Sequence, residues 1–151
     1  MSPNFSLTTR RWLTISFIMT AVIFFHRSVL FRQDITFPWD FIGYHLPLAT
    51  AYADAVDQGR LPLWDPFTYC GRPLLANPQT ATFYPGMLLS VLPGRTGLLE
   101  RLEWLSVFHI GLVGIFTYLL ALRLHLSEYA ALFAGLTFAI CPWRFLRISS
   151  L

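Results

Sequence analysis

Apolar runs constrain this chain more than any other feature. The first, WLTISFIMTAVIFFHRSVLF from Trp12 to Phe31, would extend roughly 30 Å as a helix, one hydrocarbon core. His26 and Arg27 interrupt its far end and are expected at the far interface, with Arg27 snorkelling toward headgroups. Arg10 and Arg11 precede the run without a nearby acidic residue, which predicts a cytoplasmic N-terminus. TTRRWLT has a faint likeness to a twin-arginine export signal. No small-x-small cleavage site follows it, so a retained helix is the reading adopted. The second run, Trp104 to Leu122, is also of spanning length. The third begins at Tyr129 and needs residues up to about 146 to cross. Only 13% of the chain is charged, against about a quarter in soluble domains, and 55% is hydrophobic.

The positive-inside rule then gives a map. Residues 1–11 form a cytoplasmic tail, 12–31 the first transmembrane helix and 32–103 an extracytoplasmic loop. Residues 104–122 form the second helix, 123–128 a cytoplasmic turn with Ser127 as N-cap, and 129–146 the third helix. Residues 147–151 form a truncated end. The fold class expected is an all-α membrane protein of about three transmembrane helices in the bacterial cytoplasmic membrane. The loop should carry short interfacial helices. One runs from Tyr44 to Gly59, with Pro47 in its first turn and Gly59 as its stop. Its Asp54 and Asp57 read as a solvated face. GMLLSVLPG is a second, too short to span. Net charge is +3, carried by scattered arginines, and no nucleic-acid motif appears, so nucleic acid is not an expected partner. Cys70 and Cys141 are too few for a disulfide framework and read as unpaired structural cysteines.

Between the first two spans lies RLPLWDPFTYCGRPLLANPQTATFYP, Arg60 to Pro85, which holds half of the chain's ten prolines. Proline at this density forbids a helix, yet the segment is too greasy for a solvated linker. With WDFIGYHLP ahead of it, the loop shows Asp then Tyr-x-x-Pro, Gly-x-Leu-Pro-Leu-Trp-Asp-Pro, Gly-x-Pro, and Asn-Pro-Gln before Tyr-Pro. In this order the set resembles the first extracytoplasmic loop of the bacterial YfhO-like integral membrane proteins, which belong with the GT-C-type polytopic glycosyltransferases. That family usually has Asn where Asp65 stands. The resemblance covers roughly residues 10–145. It implies the amino-terminal part of a GT-C-like fold and a sugar donor carried on a polyprenyl phosphate within the bilayer. An extracytoplasmic glycan, lipid or protein would be the acceptor. The matching acidic residue is Asp40, which would act on the acceptor hydroxyl or help bind a divalent metal ion. No set of metal ligands is read from the sequence.

The residues also speak for themselves. Phe37, Pro38, Trp39 and Phe41 flank Asp40, and desolvation there would make its carboxylate a better base. Its bland role is a helix N-cap or plain surface acid. Asp34 is the rival; Asp65 before Pro66 reads as a turn opener. His45 could relay a proton or bind phosphate, or simply sit at the interface. Asn77 and Gln79 offer amides for a sugar beside the aromatic faces of Trp64, Tyr69, Phe83 and Tyr84. Alternatively, Asn77 makes a local turn and the aromatics pack the loop. Arg144 and Arg147 could receive a lipid phosphate or act as interfacial anchors.

No P-loop, dinucleotide fingerprint, HExxH or GxSxG motif competes. Proteins of the resembled family are several times longer, so the chain is expected to be a fragment with doubtful activity alone. A membrane scaffold and a transporter or flippase fragment stay open as other classes.

Overall fold

The computed structural model describes residues 7–38 and 40–141. Most of these are helical, and the chain divides into two compact units. The described residues up to Asp34, with those from Ser106 onward, form one unit; Ile35–Leu105 form the other.

The first unit contains α1 (Leu7–Phe25), the short α2 (Arg27–Phe31), most of α5 (Leu98–Arg123) and α6 (Glu128–Ile140). Ile18 of α1, Tyr118 and Ile115 of α5, and Ala131 of α6 share one buried cluster. Two glycines let α5 and α6 meet backbone to backbone. A Cβ on Gly135 would lie 2.7 Å from the Gly114 carbonyl oxygen, and one on Gly114 would lie 3.0 Å from the Ala139 Cβ. Small residues allow such close approach. Large apolar side chains stay on the outside, among them Trp12, Phe17, Phe116 and Phe133. The α5–α6 turn closes with Leu126 N–H donating to the Ala121 carbonyl at 3.1 Å, and Ser127 caps α6 by accepting from Ala130 N–H at 3.3 Å.

Among the described residues one helix, α5, is long and apolar enough to cross a membrane. Only 33% of its most apolar stretch is buried within the chain, unlike the core helix of a soluble domain. The other two expected spans differ from the reading above. α1 starts at Leu7, so Arg10 and Arg11 are inside the helix and dilute its hydropathy. The run then breaks at His26, whose φ of −92° and ψ of 12° leave the helical path. His26 Nδ1 donates to the Val22 carbonyl at 2.9 Å and Arg27 Nη1 to the Phe24 carbonyl at 3.0 Å. These side chains take up carbonyls at the helix end. His26 is buried within the chain. α6 has 13 residues and is too short to cross by itself.

The second unit is built on α3 (Leu46–Asp57). A π-helical turn, Phe41–His45, leads directly into it. Leu48, Ala49, Tyr52 and Ala53 form its buried face. Tyr52 Oη donates to the Thr82 carbonyl at 2.8 Å, and burial pushes its phenol pKa above the ordinary value. Pro47 lies in the first turn, and Gly59, at φ 66°, ends the helix as predicted. α4 (Pro85–Val91) packs on α3. The α4–α5 turn is held by Arg101, which donates to the carbonyls of Ser90, Gly94 and Thr96. One guanidinium thus satisfies three acceptors that the ends of α4 and the turn leave open.

The proline-dense segment is not featureless loop. β1 (Trp64–Asp65) and β2 (Arg72–Pro73) pair antiparallel, Trp64 opposite Pro73 and Asp65 opposite Arg72. Gly71 closes the connection at φ 105°, and a Cβ there would lie 2.7 Å from the Trp64 ring. A short 3-10 turn, Pro78–Thr80, follows.

Candidate functional site

Asp40 stands at the start of the π-turn with backbone angles of −62° and −23°. Its side chain does not cap the turn. It is half-buried and makes no ion pair or hydrogen bond among the described residues. The rival acid is differently placed. Asp34 is exposed and held by Arg32, which donates Nε to Oδ1 at 3.1 Å and Nη2 to Oδ2 at 2.7 Å. That guanidinium lowers the Asp34 carboxyl below its ordinary pKa.

π-turns place successive side chains out of ordinary helical register and occur often at functional sites. Here the turn carries Tyr44 and His45, whose rings meet edge to face with centroids 5.4 Å apart. Partial burial pushes the His45 imidazole pKa below its ordinary value, and the Asp40 carboxylate pulls it part of the way back. Asp40 and His45 are therefore electrostatic neighbours.

Tyr44 is where separate loop segments come together. Its Oη accepts from Arg72 Nη1 at 3.3 Å and from Asn77 Nδ2 at 3.2 Å. The Arg72 guanidinium carbon lies 5.1 Å from the Tyr44 ring centroid and 5.6 Å from that of Tyr69. Behind Arg72, the buried Asp65 carboxylate approaches Nε at 3.9 Å. Asp65 also accepts from Phe67 N–H at 2.9 Å, the turn role read from its place before Pro66. Its ion-pair partner was not legible from that spacing.

Asn77 has two jobs. Its Oδ1 accepts from Gln79 N–H at 3.1 Å and caps the 3-10 turn, while its Nδ2 reaches Tyr44. The local-turn reading therefore holds for one end of the amide only. Gln79 is exposed, and its side chain takes no part in the Tyr44 hydrogen bonds. Arg144 and Arg147 lie outside the described residues. Asp54 belongs to no free solvated face, because it pairs with Arg95.

Sequence reasoning missed Arg72 and Tyr44, whose signal was their place in the Gly-x-Pro and Tyr-x-x-Pro elements. It also missed Glu103, which is 4% exposed with Oε1 unpartnered among the described residues. Burying a carboxylate this way is costly in its charged form. Among the described residues no three His, Cys, Asp or Glu side chains gather to hold a metal ion. Asp40 with His45 alone is too small a donor set for a hard divalent cation, which takes six or more oxygen ligands or keeps several waters.

No family model, curated protein or solved structure matches the chain.

Proposed function

We propose that this chain is the amino-terminal part of a membrane-embedded glycosyltransferase of the YfhO-like, GT-C type. In this reading residues 12–31, 104–122 and 129–146 cross the bacterial cytoplasmic membrane, with the N-terminus inside. The loop between the first two works on the outer side.

One observation carries the reading. The elements that define the sequence resemblance are not scattered in space: Arg72 and Asn77 both donate to Tyr44, one turn after Asp40. A half-buried carboxylate that neither caps its turn nor pairs with a cation among the described residues keeps its lone pairs for a reactant. Asp40 would take the proton of the acceptor hydroxyl as that oxygen bonds to the anomeric carbon. The bond from that carbon to the polyprenyl phosphate oxygen breaks, and the phosphate leaves with the electron pair. His45 adjusts the field at Asp40, and Arg144 and Arg147 would receive the phosphate charge. No step is routed through a metal ion.

The test is Asp40→Asn in the full-length parent protein, in membranes from cells that express it, assayed for transfer of radiolabelled sugar from a polyprenyl phosphate. Transfer should drop at least a hundredfold, the usual contribution of a general base, with insertion unchanged and Asp34→Asn near wild type. Equal transfer by Asp40→Asn and wild type would reject the assignment and favour a scaffold. Lipid translocation with no new glycosidic bond would favour a flippase.

A further inference from the structure

A cleft lies on the same unit, along the C-terminal half of α3. Ala51, Asp54, Gln58, Arg60, Trp64 and Phe67 are among the residues that line it. Its volume is about 740 Å³, inside the usual range of roughly 300–1,000 Å³ for small-molecule sites. At about 1.5 Å per helical residue it begins roughly 15 Å beyond Asp40.

Two kinds of group line it. Trp64 is 57% exposed and Phe67 81%, so an aromatic wall faces open space. The Trp64 ring is not loose, because it lies against Gly71, where any Cβ would collide with it. The same cleft is lined by Asp54, Gln58 and Arg60, which bring a carboxylate, an amide and a guanidinium. The Asp54 charge is matched by Arg95, while Arg60 donates to the neutral Gln58 amide and keeps its positive charge. A purely apolar ligand would strip water from the Asp54, Gln58 and Arg60 groups without replacing it. A pyranose suits both kinds of group, since its C–H face stacks on an aromatic ring and its hydroxyls donate and accept at polar groups.

We propose that this cleft binds a saccharide, with Trp64 as the stacking platform and Asp54 and Gln58 as hydroxyl partners. The assignment stands apart from any chemistry at Asp40. It differs from the sequence expectation in its amide, because Gln58 lines the cleft with Trp64 where Asn77 and Gln79 were expected to serve.

The experiment titrates the full chain, in a detergent without a sugar headgroup, with maltose, lactose and chitobiose, read by tryptophan fluorescence and saturation-transfer NMR. At least one sugar should bind saturably with Kd of about 1–10 mM, an ordinary strength for one exposed stacking contact with a few hydrogen bonds. Trp64→Ala should weaken binding about tenfold or more and Gln58→Ala about threefold or more. Gln58 is exposed and outside the hairpin, so that variant holds even if Trp64→Ala disturbs the fold. Asp40→Asn should bind as wild type does. Absence of saturable binding by all three sugars would overturn the proposal. So would unchanged affinity in both cleft variants, or loss of binding in Asp40→Asn.

Discussion

The contact between Gly114 and Gly135 makes a prediction in which the sign and size follow from geometry. Alanine at 135 would put its Cβ 2.7 Å from the Gly114 carbonyl oxygen and 3.2 Å from the Tyr118 Cβ. Comfortable C···O contact begins at about 3.3 Å, so α5 and α6 must part by roughly 0.6 Å. A gap of that order already forfeits a quarter to a half of each dispersion contact along the seam. Overpacking of this kind costs about 1–3 kcal/mol, set against about 1 kcal/mol gained because alanine favours helix over glycine. Gly111→Ala is the matched control. Its new Cβ would meet the Met19 side chain, a flexible thioether that can turn away, so that variant should keep most of the propensity gain. Propensity cancels between the two variants, leaving Gly135→Ala less stable than Gly111→Ala by about 1–3 kcal/mol. Unfolding in mixed micelles by added dodecyl sulfate, followed by far-UV circular dichroism, measures the difference. Equal midpoints, or a more stable Gly135→Ala, would refute the backbone contact.

Other consequences are as direct. Tyr44→Phe removes the acceptor for Arg72 and Asn77 and should loosen the hairpin by about 1 kcal/mol, read as faster amide exchange in β1 and β2. Asp65→Asn keeps the acceptor for Phe67 N–H and loses only the charge facing Arg72, whereas Asp65→Ala loses both. The alanine variant should therefore be the less stable in the same exchange experiment, by about 1 kcal/mol. Desolvation lowers the His45 pKa in the folded state, so the unfolded chain binds more protons in the histidine range. Stability should be full above the ordinary value of about 6.5 and fall as pH drops through and below it. His45→Gln should flatten that part of a melting-temperature profile against pH.

Much of the local structure was legible in residues close together in sequence. Pro47 and Gly59 bracketed α3, Ser127 marked the start of α6, and Asp65 before Pro66 marked a turn. Each of these depends on the backbone geometry of a few neighbouring residues, which a linear reading captures. The break within the first apolar run was not legible in this way. Hydropathy counts length, whereas α1 ends where His26 and Arg27 bond back to the preceding carbonyls. Asp40 was picked out by its neighbours, yet its relation to Asn77 and Arg72 runs through Tyr44, about thirty residues away along the chain from each.

By itself the sequence determined where helices could exist, where the chain had to turn, and that its longest helix, α5, would be apolar enough for hydrocarbon. Those outcomes follow from local dihedral limits and from side-chain transfer energies, which need no knowledge of distant residues. Only the tertiary structure decided that Tyr44 would gather Arg72 and Asn77, that Gly114 would meet Gly135, and that Trp64 and Gln58 would line one cleft. Such pairings are chosen by how whole elements pack, because each donor, glycine and ring had several possible partners until the backbone brought one within reach.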